Sequence, residues 1–149
     1  MQVLFLLMAL IAGAALASQV AINSQLKTIV GTPIQATCVS LCIGAMATLA
    51  YSTIARQPWP RFGTVAESPW WAWSGGLLGI FYLWATVVTS PRLGVAMTFG
   101  LVIAGQVVTS MLLDHFGLFG VPVHPASSAR LIGILLVIAG VAVMFLSRH

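Results

Sequence analysis

The sequence predicts an all-α integral membrane protein with five transmembrane helices. Of its 149 residues, 60% are hydrophobic and only 5% are charged, whereas a soluble domain carries about 25% charged residues. The mean hydropathy is +1.06, so too few charged side chains are present to cover a surface that faces water. A helix needs roughly 20 apolar residues to cross a bilayer. The chain therefore has room for five spans, which we expect to form one membrane domain over residues 1–149.

The first predicted span covers residues 2–22, and the second covers residues 33–54. Residues 15–18 resemble a signal-peptidase site. However, no Lys or Arg precedes this apolar run and further apolar segments follow it, so we expect an uncleaved first span. Lys27 falls in the predicted connection, residues 23–32.

The other three predicted spans are residues 69–89, 93–113 and 131–147. The segment 56–68 is polar and rich in proline, which predicts a loop, and Ser90-Pro91-Arg92 predicts a tight turn. Lipid requires every backbone polar group to be paired within its own element, which favours helices for all five apolar runs. The alternating segments of a membrane barrel do not occur in the sequence.

The charges in the connections give no preferred orientation. With five spans the two termini lie on opposite faces, and the orientation rule compares the Lys and Arg of the two faces. Each face has three: Arg56, Arg61 and Arg130 on one, and Lys27, Arg92 and Arg148 on the other. The tie predicts that the chain inserts both ways and pairs with an inverted copy. Two alternatives stay open, namely loop borders displaced by a residue or two, or orientation set by a few charges in context.

Polar side chains within the spans are the first candidates for a binding site, because they are costly in hydrocarbon. Gln19 and Asn23 lie four residues apart and therefore share one face of the first helix. Gln106 lies midway along the fourth span and is the candidate second wall of a cavity. We expect these amides to contact a substrate, with hydrogen bonds between helices as the alternative.

Two aromatic residues and one acidic residue complete the candidate site. Tyr82 and Trp84 lie deep in the third span, where aromatic rings can line a substrate path or stack on a cation, or serve packing alone. Asp114 ends the fourth span and is a candidate for proton coupling; an acidic residue at a helix end can also be simply solvated.

Glycines mark the predicted helix contacts. Gly75 and Gly79 form a face of small residues that allows close approach of a second helix, and Gly133 and Gly140 suit the same role.

Patterns that mark catalysis or cofactor binding are absent from the sequence. No Walker-type nucleotide loop, metal-ligand cluster or nucleophile–base pair can be assembled, and Cys38 and Cys42 lie alone in an apolar run. We therefore expect no enzyme, no metal and no cofactor. The six Lys and Arg are scattered, which argues against a nucleic-acid partner. No charge lies near the centre of a span, which disfavours an exporter of lipophilic cations that uses a buried carboxylate.

In the order and spacing of several short motifs, the chain resembles the YdcZ family of bacterial inner-membrane proteins, which belongs to the drug/metabolite transporter (DMT) superfamily. The motifs are Gln19-x-x-x-Asn23-x-x-Leu26, Gly75-Gly76-x-x-Gly79, Gly105-Gln106 and Asp114-His115-Phe116-Gly117. The resemblance covers essentially the whole chain, including its length and five spans. It implies a multi-pass half-transporter of the inverted-repeat type that works as a homodimer, in an antiparallel arrangement, or beside a paired homologue.

These expectations describe a subunit that carries a small metabolite or drug-like solute across the lipid bilayer by alternating access. A neutral or zwitterionic cargo is favoured because the spans contain no buried charge. The alternative is a non-transporting accessory or helix-interaction protein, in which the polar residues only hold helices together. An ion channel is disfavoured, because no charged or carbonyl-rich constriction can be identified.

Overall fold

Helices make up all the regular structure of the computed structural model, which describes residues 1–60 and 62–147. In chain order they are α1 (Gln2–Val30), α2 (Pro33–Ile54), α3 (Phe62–Ala66), a 3₁₀ turn (Trp70–Trp73), α4 (Gly75–Leu93), α5 (Val95–Phe116), a 3₁₀ turn (Leu118–Gly120) and α6 (Ser128–Leu146). Five segments are long and apolar enough to cross a membrane: α1, α2, the first 3₁₀ turn with α4, α5 and α6. The predicted all-α fold with five spans is confirmed.

Helix α1 is longer than the predicted first span. It continues to Val30 through most of the predicted connection, so that Lys27 lies in its last turn. Its 29 residues correspond to about 43 Å, which exceeds the roughly 30 Å of a hydrocarbon core. The prediction of a connection here was wrong, because a helix can continue past the apolar boundary until a breaker occurs. The breaker is Gly31, with a φ of 103°.

The predicted tight turn Ser90-Pro91-Arg92 was also wrong. These residues belong to α4, which ends at Leu93. The chain breaks at Gly94, whose φ of 77° lies in a region that other residues rarely adopt. A proline near the end of a helix removes one backbone hydrogen bond without preventing the final turn. The predicted loop 56–68 contains the short helix α3.

Side-chain caps mark the starts of α2 and α6, and a glycine marks the end of α5. The hydroxyl of Thr32 accepts a hydrogen bond from the backbone N–H of Gln35 at 3.3 Å, and that of Ser127 accepts one from the N–H of Arg130 at 3.3 Å. Each cap satisfies one of the unpaired donors of a helix start. Helix α5 ends at Gly117 in the left-handed conformation, and a Cβ there would lie only 2.7 Å from Val123 Cγ2.

The chain divides into two compact units, Met1–Arg92 and Leu93–His149. In the first unit α1 packs against α2, and in the second α5 packs against α6. Arg61 and Arg148, which enter the orientation count, lie outside the described residues.

Burial in the helices differs from that of a soluble protein. Large apolar side chains are exposed along every long helix, whereas several small polar ones are buried. The buried polar residues are Asn23, Thr37, Thr86, Ser90 and Thr98. On α4 the buried positions Leu83, Thr86, Val87 and Ser90 follow the spacing of one helical face. An apolar exterior around a partly polar interior is what a lipid solvent requires.

Candidate substrate cavity

Gln19 and Asn23 line one cavity of about 420 Å³ in the first unit. Their spacing places both amides on one face of α1, as the sequence predicts. Ser40 of α2 also lines the cavity, so α1 and α2 both contribute to its wall. The volume lies within the range of small-molecule sites.

Asn23 is the most buried polar residue of this cavity. Its side chain is 2% exposed, and its amide nitrogen Nδ2 has no hydrogen-bond partner among the described residues. Leaving a buried donor unpaired costs about 1–3 kcal/mol. Groups of this kind are rare in folded proteins, and a functional role is one of several explanations for them; the hydroxyls of Tyr82 and Thr98, which do not line this cavity, are also buried without a partner among the described residues.

The rest of the lining is mostly apolar and carries no ionisable side chain. The other lining residues are Ala15, Ser18, Ile22, Leu26 and Ile43. The hydroxyl of Ser18 already donates to the carbonyl of Ala14 at 3.0 Å. The cavity therefore offers an apolar surface with a few polar anchors, which is the usual composition of small-molecule sites.

A hydrogen bond next to Asn23 joins α1 to α4. The hydroxyl oxygens of Ser24 and Ser90 lie 2.5 Å apart, and Ser90 is buried. The sequence does not predict this pair, because the two serines lie 66 positions apart. The one available signal was that Ser24 directly follows Asn23. The bond holds the end of α1 that carries Asn23.

The two candidate aromatic residues lie outside this cavity. The hydroxyl of Tyr82 is buried and has no hydrogen-bond partner among the described residues. Trp84 lines a different, shallow cavity of about 320 Å³ together with Ile34 and Phe81, and its ring centroid lies 6.2 Å from that of Phe81. Their predicted roles in substrate binding stay predictions.

Gln106, the other candidate amide, lies on α5 in the second unit, where its side chain is exposed. Its role as a cavity wall also stays a prediction.

Asp114 forms an ion pair with Arg130 in the second unit. Arg130 Nη1 lies 3.3 Å from Asp114 Oδ2 and also donates to the carbonyl of His124 at 3.4 Å. The connection between α5 and α6 is held further by a hydrogen bond from the N–H of Ala126 to His115 Nδ1 at 3.1 Å. The ion pair thus ties the end of α5 to the start of α6.

The four candidate packing glycines face open space within the described chain. A Cβ built on Gly75, Gly79, Gly133 or Gly140 would meet no described atom within 4 Å. The close approach lies instead at Gly100, where a Cβ would lie 3.2 Å from Val141 Cγ2. The predicted role of the four glycines in helix packing stays a prediction.

A family model described as "Putative inner membrane exporter, YdcZ" matches residues 4–143. The chain belongs to the YdcZ family. Its members include Inner membrane protein YdcZ of Escherichia coli (strain K12), which is 31% identical over 86 residues; this match covers 57% of the chain and 57% of that protein. No solved structure matches the chain. The predicted YdcZ membership is confirmed, and with the five apolar helices it identifies a multi-pass protein of the bacterial inner membrane.

Proposed function

We propose that the chain is a transporter subunit that exports a small uncharged solute held in the cavity of Gln19 and Asn23. The observation that carries the proposal is Asn23, a residue that lines a cavity of about 420 Å³ and whose buried amide nitrogen has no partner among the described residues. A carbonyl, ether or hydroxyl oxygen of the cargo accepts the missing hydrogen bond. The description of the YdcZ family as an exporter supports the direction of transport.

The chemistry of the lining favours an uncharged cargo. None of the eight lining residues carries an ionisable group, and an isolated charge in an apolar site is strongly penalised. The lining also contains no aromatic ring that could stack on a cation. An apolar body with one or two hydrogen-bond acceptors fits both the walls and the amides.

Alternating access requires a second half, which we assign to a second copy of the chain or to a paired homologue. Five spans place the termini on opposite faces, so an inverted copy supplies the other half of a two-fold path. The open faces at Gly75 and Gly79 offer a surface for close helix contact. Reporters active on one membrane side, fused to the C-terminus, test the arrangement. Signal from both sides supports the antiparallel dimer, and signal from one side alone overturns it.

Asp114 is the proposed coupling group. A proton on its carboxylate removes the negative charge that faces Arg130, so that this contact between the end of α5 and the start of α6 depends on protonation. Two histidines lie in the same connection. The backbone carbonyl of His124 accepts a hydrogen bond from Arg130, and the ring Nδ1 of His115 accepts one from the N–H of Ala126. Asp114→Asn should abolish the dependence of export on a proton gradient while leaving binding of the cargo intact. Unchanged coupling in this variant would exclude Asp114.

Flux through proteoliposomes separates this proposal from the alternative of an accessory protein. The double variant Gln19→Ala with Asn23→Ala should remain folded and dimeric but lose transport of Nile red, an uncharged dye with a carbonyl acceptor. Gln25→Ala, an exposed amide on the same helix, is the matched control. Loss of folding or dimerisation in the double variant would favour the accessory protein. Efflux of the cation ethidium in preference to Nile red would contradict the neutral cargo.

A further inference from the structure

A groove of about 350 Å³ in the second unit combines two opposite charges with apolar walls. Asp114 and Arg130 both line it and supply its two charges. The walls continue along one face of α5 and one face of α6, where the apolar lining residues are Val107, Met111, Ile134 and Val137. The groove is separate from the Gln19–Asn23 cavity, which belongs to the first unit.

The ion pair between Asp114 and Arg130 is weak, so both side chains remain available to a ligand. Their nearest N–O distance is 3.3 Å, and the Arg130 and Asp114 side chains are 45% and 38% exposed. A strong ion pair of this type is shorter, at about 2.7–2.9 Å, and exposed pairs contribute only about 0–1 kcal/mol. A ligand that carries both charges can therefore replace the contact at little cost.

The position of the groove matches the depth of lipid headgroups. Asp114 lies in the last turn of α5, and Arg130 lies in the first turn of α6. Both helices are apolar enough to cross a membrane, so their charged ends belong at the interface and the apolar walls in the hydrocarbon. Gly133 lines the groove, and a Cβ there would meet no described atom within 4 Å. The missing side chain leaves room for an acyl segment between the helices.

From these features we infer that the groove binds a zwitterionic phospholipid with a primary ammonium, that is, a phosphatidylethanolamine. The phosphate contacts the guanidinium of Arg130, which is suited to planar recognition of phosphate oxygens. The ammonium contacts the carboxylate of Asp114, and one acyl chain lies along the apolar walls. An anionic lipid without an ammonium meets repulsion from Asp114, so the pair of charges selects the zwitterion.

The experiment is native mass spectrometry of the purified full chain with three lipids of matched acyl chains. They are phosphatidylethanolamine, phosphatidylglycerol and diacylglycerol. The wild type should retain phosphatidylethanolamine about fivefold better than phosphatidylglycerol, the ratio that about 1 kcal/mol from one exposed ion contact corresponds to. Diacylglycerol should bind least. Equal retention of the first two lipids overturns the inference.

Variants assign each part of the lipid to its residue. Asp114→Asn should remove the preference for phosphatidylethanolamine, and Arg130→Gln should weaken both phospholipids. Arg92→Gln, at the end of α4 and outside the groove, is the control and should change neither. Because Arg130→Gln can also disturb the start of α6, Gly133→Leu supplies a test that leaves both charges in place.

Gly133→Leu places a side chain at a position that lines the groove and should lower retention of phosphatidylethanolamine. Unchanged retention in this variant contradicts the inference. Displacement of the lipid by millimolar inorganic phosphate would identify a free anion as the ligand and would also overturn it. None of these measurements involves transport, so the inference stands or fails separately from the proposed export.

Discussion

Replacement of Asn23 by leucine should stabilise the protein while abolishing its function. The side chain is 2% exposed, and its amide nitrogen is unpaired among the described residues. Removing the unpaired donor recovers its desolvation penalty of about 1–3 kcal/mol. The larger leucine has room because Asn23 lines the cavity of about 420 Å³. In a chain of this size each kcal/mol raises the unfolding midpoint by about 2–4 °C, so we expect a rise of about 2–12 °C.

The assay is thermal unfolding of the purified protein in detergent, followed by tryptophan fluorescence. Gln25→Leu, at an exposed position of α1, is the matched control. It should change the free energy of unfolding by no more than about 0.5 kcal/mol. The opposite result refutes the reasoning. If Asn23→Leu lowers the midpoint, the amide contributes a hydrogen bond between helices, and the cavity loses its main argument as a binding site.

Three further stability predictions concern individual contacts. Alanine at both Ser24 and Ser90 in a double-mutant cycle should give a coupling of about 0.6 kcal/mol, the usual value for a hydrogen bond between membrane helices; zero coupling would remove this link between α1 and α4. Gly100→Leu should destabilise by about 1–3 kcal/mol through overpacking against α6, whereas Gly105→Leu has no described atom near its Cβ and should be tolerated; equal effects would contradict the packing at Gly100. Ser127→Ala should cost about 0.5–2 kcal/mol by removing the cap of α6, and amide exchange at the first turn reports that loss.

The five membrane-length helices could be predicted from the sequence because each contains a long uncharged apolar run. Their ends could not, since hydropathy changes where a chain leaves the bilayer and not where a helix stops. Helix α1 continues to Val30 because the predicted connection contains no Gly or Pro before Gly31. Helix α4 includes Pro91 because the positive φ needed for the break falls at Gly94.

The candidate site was predictable only where its residues are neighbours on one helix. Gln19 and Asn23 share a face by spacing alone, and the structure places both in one cavity. Contacts between helices depend on packing, which spacing does not encode. The Ser24–Ser90 bond and the Asp114–Arg130 pair were therefore missed, although each half of these pairs is visible in the sequence.

Protection of a cysteine placed in the cavity tests the central claim most directly. In a background of Cys38→Ala and Cys42→Ala, Ser40→Cys reports on the cavity, and Thr48→Cys, exposed on the same helix and outside the cavity, is the control. Nile red should slow the reaction of N-ethylmaleimide at position 40 but not at position 48, and Asn23→Leu should abolish this protection. Equal labelling rates with and without the dye, or protection that persists in Asn23→Leu, would contradict a solute site built on Asn23.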